Sequence, residues 1–376
     1  MKCKPLKDVA QIIMGQSPDS SSYNEVGEGL PFFQGNADFG VMYPSERIWC
    51  NQPKKIANEN DILISVRAPI GALNYANKKC CIGRGLAAIT VNNPVERNYI
   101  FHLLKAKNAE LNRKGTGSTF KAIGKNVLED IPVPIVSSEI QLHITRLMDI
   151  TESIISKRKN ELKYYDELIK ARFVEMFWDP ISNPKKWKVV KIGDIVKDVR
   201  YGTSRPAVEG GKYPYLRMNN LTVDGQIDLT DLKYIDIPES EIEKCIVRKG
   251  DVLFNRTNSV ELVGKTALFN LPDEMVIAGY IIRLRLNKDL RPEILSQYLN
   301  LKPLKDILRS MAKGAVNQAN INAKELQNIR VYLPEMELQN AFVVFAHQID
   351  KSKVAVQKSL NQAQLLFDSL MQQYFG

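Results

Sequence analysis

The sequence is poor in cysteine and histidine, and it contains no long apolar run. Its five cysteines (Cys3, Cys50, Cys80, Cys81 and Cys245) are odd in number, and none falls in a C-x-x-C pair. That spacing argues against a disulfide frame or a thiolate zinc site and fits reduced thiols in the cytoplasm. No eighteen consecutive apolar residues occur, and residues 1–16 hold no apolar signal core, so a chain that neither crosses a membrane nor is secreted is expected. His102, His143 and His347 stand far apart, and the two on the long helices described below are read as solvated.

Catalytic signatures are equally scarce. The sequence has no Asn-Pro-Pro-Tyr or Asp-Pro-Pro-Tyr, which argues against a base-methylating pocket. Pro18-Asp19 and Pro272-Asp273 lack the acidic and lysine companions of a nuclease carboxylate set. Gly264-Lys265-Thr266 resembles the end of a phosphate-binding loop. However, Ser259 stands at the leading glycine position, and the strand-like Ala267-Leu268-Phe269 follows where a helix is needed. No catalytic residue and no metal ligand is therefore assigned to this chain.

What the sequence does have is basic charge, evenly spread, and a repeat. Residues 1–185 carry 25 basic and 20 acidic side chains and residues 186–376 carry 27 and 22, so both halves are similarly cationic. An even split suits two similar modules meeting one polyanion better than a single basic tail. Between Glu139 and Phe177, Met148, Ile155, Leu162, Ile169 and Met176 recur every seven residues, as the buried seam of a helix requires. A helix of that length spans roughly 58 Å, enough to act as a spacer. A shift of 198 positions brings this stretch onto 337–375, pairing Glu139 with Glu337, Gln141 with Gln339, Leu162 with Leu360 and Phe177 with Phe375. There Ala346, Lys353, Leu360, Phe367 and Tyr374 form one column, and Ile349, Val356, Ala363 and Leu370 form the other. Thr151, Arg158, Tyr165 and Arg172 weaken the second column of the first helix, so the two helices are expected to complete each other. Because the first helix delivers the chain to the second module, the other must return, and an antiparallel pair is predicted.

The modules repeat in outline. Leu30-Pro31-Phe32 answers Tyr213-Pro214-Tyr215, Asn60-Asp61-Ile62-Leu63-Ile64 answers Gly250-Asp251-Val252-Leu253-Phe254, and Leu128-Glu129-Asp130-Ile131 answers Leu326-Gln327-Asn328-Ile329. A strand is expected across Cys80 to Val91, a helix across Tyr99 to Lys107, and a polar loop from Lys114 to Lys121. The expected class is α+β: two globular α/β domains (1–137 and 179–335) and two spacer helices (138–178 and 336–376) forming an antiparallel coiled coil, with a pseudo-two-fold internal repeat. The polar loops do not repeat, which reads as two related binding surfaces with different ligands. In the first module the candidates are Gln16, Ser17, Arg67, Arg84, Lys114, Ser118, Thr119 and Lys121. In the second they are Arg200, Thr203, Arg205, Arg217, Asn219, Asn220, Arg256, Asn258, Asn317, Gln318 and Asn320. Arginine suits guanine edges and phosphates, and asparagine and glutamine suit adenine, so this inventory could read the base edges of double-stranded DNA, the alternative being that most of these side chains cover surface or contact phosphate.

With these stretches in hand, the chain resembles the specificity subunit of type I restriction-modification systems. The resemblance rests on Met14-Gly15-Gln16-Ser17-Pro18, on residues Asp61 to Gly71, on Ile82-Gly83-Arg84-Gly85-Leu86-Ala87-Ala88-Ile89, and on Gly117 to Ile123 running into Ile131-Pro132-Val133-Pro134. In the second module Arg256-Thr257-Asn258-Ser259 replaces the Arg-Ala-Pro stretch, and Ala278-Gly279-Tyr280 replaces Gly83-Arg84-Gly85. The resemblance implies two target recognition domains, each reading half of a split DNA sequence, and helices that dock two methyltransferase subunits, joined by restriction-translocase subunits. It further implies a cytoplasmic chain that is not itself an enzyme but belongs to a restriction endonuclease and adenine methyltransferase complex. S-adenosylmethionine, ATP and magnesium would then sit on the partners and none on this chain. Three rivals remain at this point: a single fused methyltransferase-nuclease partner, a coiled-coil adaptor without DNA, and a stand-alone endonuclease.

Overall fold

The computed structural model describes residues 2–117, 121–177, 183–312 and 319–376. Its compact units are residues 1–160 with 357–376, and residues 161–356, so each long helix is divided between the two units.

In the first unit, strands Gln11–Met14, Leu86–Thr90, Ile62–Ser65 and Leu73–Tyr75 form an antiparallel sheet in that spatial order. A second sheet is mixed, with Leu30–Phe33 running parallel to Cys80–Ile82 so that Phe32 faces Cys81. The second unit repeats both, with Val196–Tyr201, Ile281–Leu286, Val252–Asn255 and Thr266–Leu268 in one sheet and Tyr213–Leu216 parallel to Met275–Ile277 in the other. Each central strand is entered through the same turn. Asn60 and Gly250 both adopt positive φ, at 70° and 94°. The following aspartates fix that turn, Asp61 accepting from the Asn58 N–H at 2.8 Å and Asp251 from the Arg248 N–H at 2.9 Å. After each sheet comes a helix with proline in its first turn, Pro94–Ala106 and Pro292–Asn300, where the missing N–H costs nothing.

Two sequence expectations are corrected here. The run from Cys80 to Val91 is two strands, because the Leu86 N–H turns back to the Gly83 carbonyl at 3.0 Å and Gly85 passes close to Gln34, where a Cβ would lie 2.3 Å from the Gln34 carbonyl oxygen. Lys114 is the last residue of helix Asn108–Lys114 and does not open a loop. No disulfide forms among the described residues. Burial pushes the Cys80 thiol up to about 12 and the Cys81 thiol to about 11.

The long helices are Ser138–Phe177 and Met336–Phe375, of 40 residues each, and their first and last residues are related by the same 198-residue shift. Met148, Ile155 and Ile169 are buried and Leu162 and Met176 half-buried; on the second helix Val356 is buried and Ile349, Leu360, Phe367 and Leu370 are half-buried. The flanking Ile150, Ile154, Leu168, Val354 and Leu365 face solvent. Antiparallel pairing is visible inside each unit. Ile144 and Met148, early in the first helix, share the first unit's core with Phe367, Leu370 and Phe375, late in the second. Ile169, Phe173 and Phe177 share the second unit's core with Leu338, Phe342 and Ala346, with the Phe173 and Phe342 rings 5.2 Å apart. Lys353, a polar residue at a seam position, donates to Asp166 at 2.6 Å. Ile155→Val is expected to cost about 0.5–1.5 kcal/mol in urea unfolding, whereas Ile154→Val, one residue off the seam, should change stability by less than about 0.5 kcal/mol. Equal costs at both positions would remove the seam assignment.

Candidate nucleic-acid interface

Each unit carries a polar cleft built from the same four pieces. The first piece is the end of the first sheet strand. There Gly15 N–H donates to the Leu86 carbonyl and Gln16 N–H to Ile82, while Gly202 donates to Ile281 and Thr203 to Ile277. Any side chain at Gly15 or Gly202 would place its Cβ 2.1 Å from a carbonyl oxygen of the neighbouring strand or turn, so glycine is obligatory at both. The second piece is the turn at 83–85 or 278–280, where Gly83 N–H donates to Phe33 and Ala278 to Leu216. A short 3-10 turn after the parallel strand is the third, and it is closed by a side chain on a backbone N–H: Asp38 accepts from Gln34 at 2.7 Å and Asn220 from Arg217 at 2.8 Å. The fourth is the end of the central strand, where Val66 N–H donates to Gly85 and Arg256 to Tyr280.

In the first unit these pieces enclose about 460 Å³ lined by residues 34–38, Arg67, Ala68, Arg84 and Gly85. Arg67 and Arg84 are both exposed, and neither has a carboxylate within ion-pair distance among the described residues. Ser17 accepts from the Arg84 N–H at 3.3 Å, which ties the 15–17 stretch to the cleft turn. Lys121 is exposed beside it, its carbonyl accepting from Ala68 N–H at 3.0 Å. Lys114 is paired with Glu110 at 2.7 Å on its own helix, outside the lining.

The second unit's cleft, about 510 Å³, gathers Thr203, Arg205, Arg217, Asn219 and Arg256 with Tyr215, Gly279 and Tyr280. Its charge is more restrained. Glu241 takes both Arg205 nitrogens, at 3.1 and 2.7 Å, and that pairing holds its own carboxyl below the usual range. Asp231, held low by Lys233 and Arg217, accepts from Arg217 at 2.6 Å. Arg256 has no carboxylate partner among the described residues and lies over the Tyr201 ring, 4.9 Å from its centroid.

Several sequence candidates fall elsewhere. Asn220 is buried, its amide spent on Arg217 N–H and the Asp228 carbonyl, so it braces a loop and offers nothing to a ligand. Asn258 is engaged by Asn255 and Ser259, Asn320 accepts from Thr257, and Arg200 pairs with Asp198 at 2.9 Å. Ser118, Thr119, Asn317 and Gln318 lie outside the described residues. Gln34, Asn36 and Tyr280 line the clefts but were not singled out in the sequence. The alignment of Leu30-Pro31-Phe32 with Tyr213-Pro214-Tyr215, carried further, places Gln34 on Arg217 and Asn36 on Asn219 and so signals those two, but not Tyr280.

The arginines of the two central strands are not equivalent. Ile123 N–H donates to Val66 and Ile321 N–H to Arg256, so Arg256 corresponds to Val66, and Arg67 corresponds to the buried Thr257. The cation has moved one residue along a strand, which changes the side from which it enters.

Other candidate chemistry is absorbed by structure. Lys265 donates to the Met218 carbonyl at 2.7 Å and Thr266 to Gly264 at 3.1 Å, from a strand, which leaves no phosphate cradle there. His102 is buried 2.9 Å from Asp149; His143 and His347 are exposed. Among the described residues no three His, Cys, Asp or Glu side chains cluster to hold a metal, and no helix is long and apolar enough to cross a membrane.

Comparison with known proteins places this geometry. A putative type I restriction enzyme specificity subunit from Methanocaldococcus jannaschii, MjaX, is 45% identical over 152 residues, a match that takes in 40% of this chain and only 36% of that protein. The EcoKI specificity subunit of Escherichia coli K12 is 23% identical over 313 residues, covering 78% of this chain and 67% of its own length. The crystal structure of a type I restriction-modification S subunit from M. genitalium covers 100% of this chain and 96% of its own with a TM-score of 0.58 and 16% identity, a likeness of fold alone. The family described as the type I restriction modification DNA specificity domain matches residues 1–164 and again residues 184–364, so both repeats are accounted for, and the chain belongs to that family.

Proposed function

We propose that this chain is the DNA-reading subunit of a type I restriction-modification complex, each unit contacting one half of a split, asymmetric target and the long helices fixing the gap. The observation that carries this reading is the pair of clefts: one backbone construction is used twice, with different side chains facing the opening. An identical scaffold suits the same kind of ligand, and different side chains suit different base sequences. The chain would bring methyltransferase and restriction-translocase subunits to the site, and those partners would supply S-adenosylmethionine, ATP and magnesium chemistry. Mapping methylated positions in a host that carries the chain with its partners tests the proposal. A bipartite consensus with two unlike halves is expected, and a palindromic or continuous consensus would count against it.

The exposed cation beside the first cleft gives a separate measurement. Lys121→Ala should weaken DNA retention about equally on all sequences and lower the slope of log affinity against log salt by about one, as loss of a phosphate contact does. An unchanged slope would remove Lys121 from the interface.

A further inference from the structure

We propose that the central position of the cleft turn, Arg84 in the first unit and Gly279 in the second, is a specificity-determining position, and that Arg84 selects a guanine in the half-site of the first unit. This rests on the DNA-reading function proposed above.

The two residues occupy one place in the repeat. Each is the middle residue of the turn joining the parallel strand to the sheet, closed in one unit by Leu86 N–H to Gly83 carbonyl and in the other by Ile281 N–H to Ala278 carbonyl. Each also donates its own N–H to the 15–17 or 202–204 stretch, Arg84 to the Ser17 hydroxyl at 3.3 Å and Gly279 to the Thr203 carbonyl at 2.8 Å. The turn therefore presents whatever side chain it carries to the same part of the cleft.

Most glycines of these clefts answer to the fold, and Gly279 does not. Gly15, Gly85 and Gly202 are held by carbonyl oxygens within 2.3 Å of a Cβ. At Gly279 the nearest atom to a Cβ is the Thr203 carbonyl oxygen at 3.5 Å, an ordinary contact, and its φ is not in the left-handed region. Neither space nor backbone conformation demands glycine there. What its absent side chain changes is the surface offered to a ligand: an open floor in one cleft, a guanidinium in the other.

Arg84 is also chemically suited to this role, as is Arg67 in the same cleft, and its place in the repeat is what singles it out. It is exposed, and no carboxylate among the described residues lies within ion-pair distance. Its donor fork is thus available for the O6 and N7 acceptors of guanine, the pairing that arginine makes with geometric selectivity. By contrast, Arg205 and Arg217 in the second cleft already have Glu241 and Asp231.

The test is selection of duplexes from a randomised DNA library by the full chain, comparing the parent with Arg84→Ala and Gly279→Arg, each first checked to melt with the parent. Arg84→Ala should relax a guanine preference at one position of one half-site by about tenfold to a hundredfold, with the other half-site unchanged. Gly279→Arg should create a new guanine preference at one position of the other half-site. Loss of affinity on all sequences with an unchanged consensus and a shallower salt dependence would make Arg84 a phosphate contact and overturn the assignment. A parent chain that enriches no sequence would overturn the DNA-reading function and this assignment with it, whereas a parent consensus that survives both substitutions overturns the assignment alone.

Discussion

Replacing Arg283 by alanine is expected to destabilise the second unit strongly and leave the first intact. Arg283 sits in the middle of strand Ile281–Leu286 with 1% of its surface exposed. Its guanidinium donates to Asp198 at 2.5 Å, to the Glu243 carbonyl at 3.3 Å and to the Ile246 carbonyl. Alanine there would leave a cavity, take a donor from the Glu243 carbonyl, leave the Ile246 carbonyl with only the longer bond from Arg285 at 3.5 Å, and leave Asp198 with Arg200 as its remaining cation. Breaking a fully buried pair from one side costs about 3–5 kcal/mol, and because Asp198 is half-buried and keeps Arg200 the loss should lie toward the lower end. A domain holds only about 5–15 kcal/mol in total, so the loss is a large share. Arg283→Met, which keeps most of the volume, should lose less. Hydrogen exchange of the full chain separates the units: amides of Val252–Asn255 should lose protection in Arg283→Ala while those of Ile62–Ser65 keep theirs. Equal loss in both strands, or none, would refute the argument.

The same network fixes the acid dependence. Burial alone would raise the Asp198 carboxyl, but the hydrogen bonds and charges of Arg283 and Arg200 outweigh it and hold the carboxyl below its usual range. The unfolded chain then binds the proton more readily than the folded one. The contribution of Asp198 is therefore present above the unfolded carboxyl value of about 3.9 and is lost as pH falls through the lower folded value. The stability difference between parent and Arg283→Ala should be largest at neutral pH and narrow in acid, leaving the remainder due to the cavity and the carbonyl bonds, which do not titrate.

Arg283 also shows where sequence reading stops. In the repeat it corresponds to Ala88, since Ala88 faces Leu63 across one sheet and Arg283 faces Leu253 across the other. The alternation that marks a half-buried strand is the same in Ile281–Leu286 whether the arginines face water or a half-buried aspartate, because the partner lies 85 residues away on another strand. The long helices were legible to their ends because a heptad pattern is written locally, every seam residue announcing itself within seven positions of the next. The repeat was legible as well, through Asn60-Asp61 and Gly250-Asp251, whose turn chemistry is confined to four residues. The clefts were only half legible. Arg67 and Arg84 line one cleft and Thr203, Arg205, Arg217, Asn219 and Arg256 line the other, yet the neutralisation of Arg205 by Glu241 and of Arg217 by Asp231 depends on loops whose approach no local pattern encodes. The one-residue slip between Arg67 and Arg256 escaped for a related reason: matching arginine to arginine is natural in a string of letters, whereas the ladder hydrogen bonds match Arg256 to Val66.

Removing one heptad from each long helix, residues 155–161 from the first and 357–363 from the second, is expected to shorten the unread gap of the DNA target by about three base pairs while both half-site sequences stay the same. Deleting seven residues brings Leu162 to the place of Ile155 and Gln364 to the place of Gln357, so the period-seven seam continues across each junction. Each helix loses about 10 Å of length at 1.5 Å per residue, and base pairs of duplex DNA rise about 3.4 Å each. The clefts contain no residue from either deleted segment, so what each unit reads is left alone. A four-residue deletion in both helices is the control. It introduces a stammer that turns the seam away from its partner, and it should lower stability without giving a new defined gap. Methylation mapping in a host carrying each variant with its partners reads both outcomes. Half-sites that change while the gap stays fixed would mean that the helices do not measure the target, and that the spacing is set by the partner subunits.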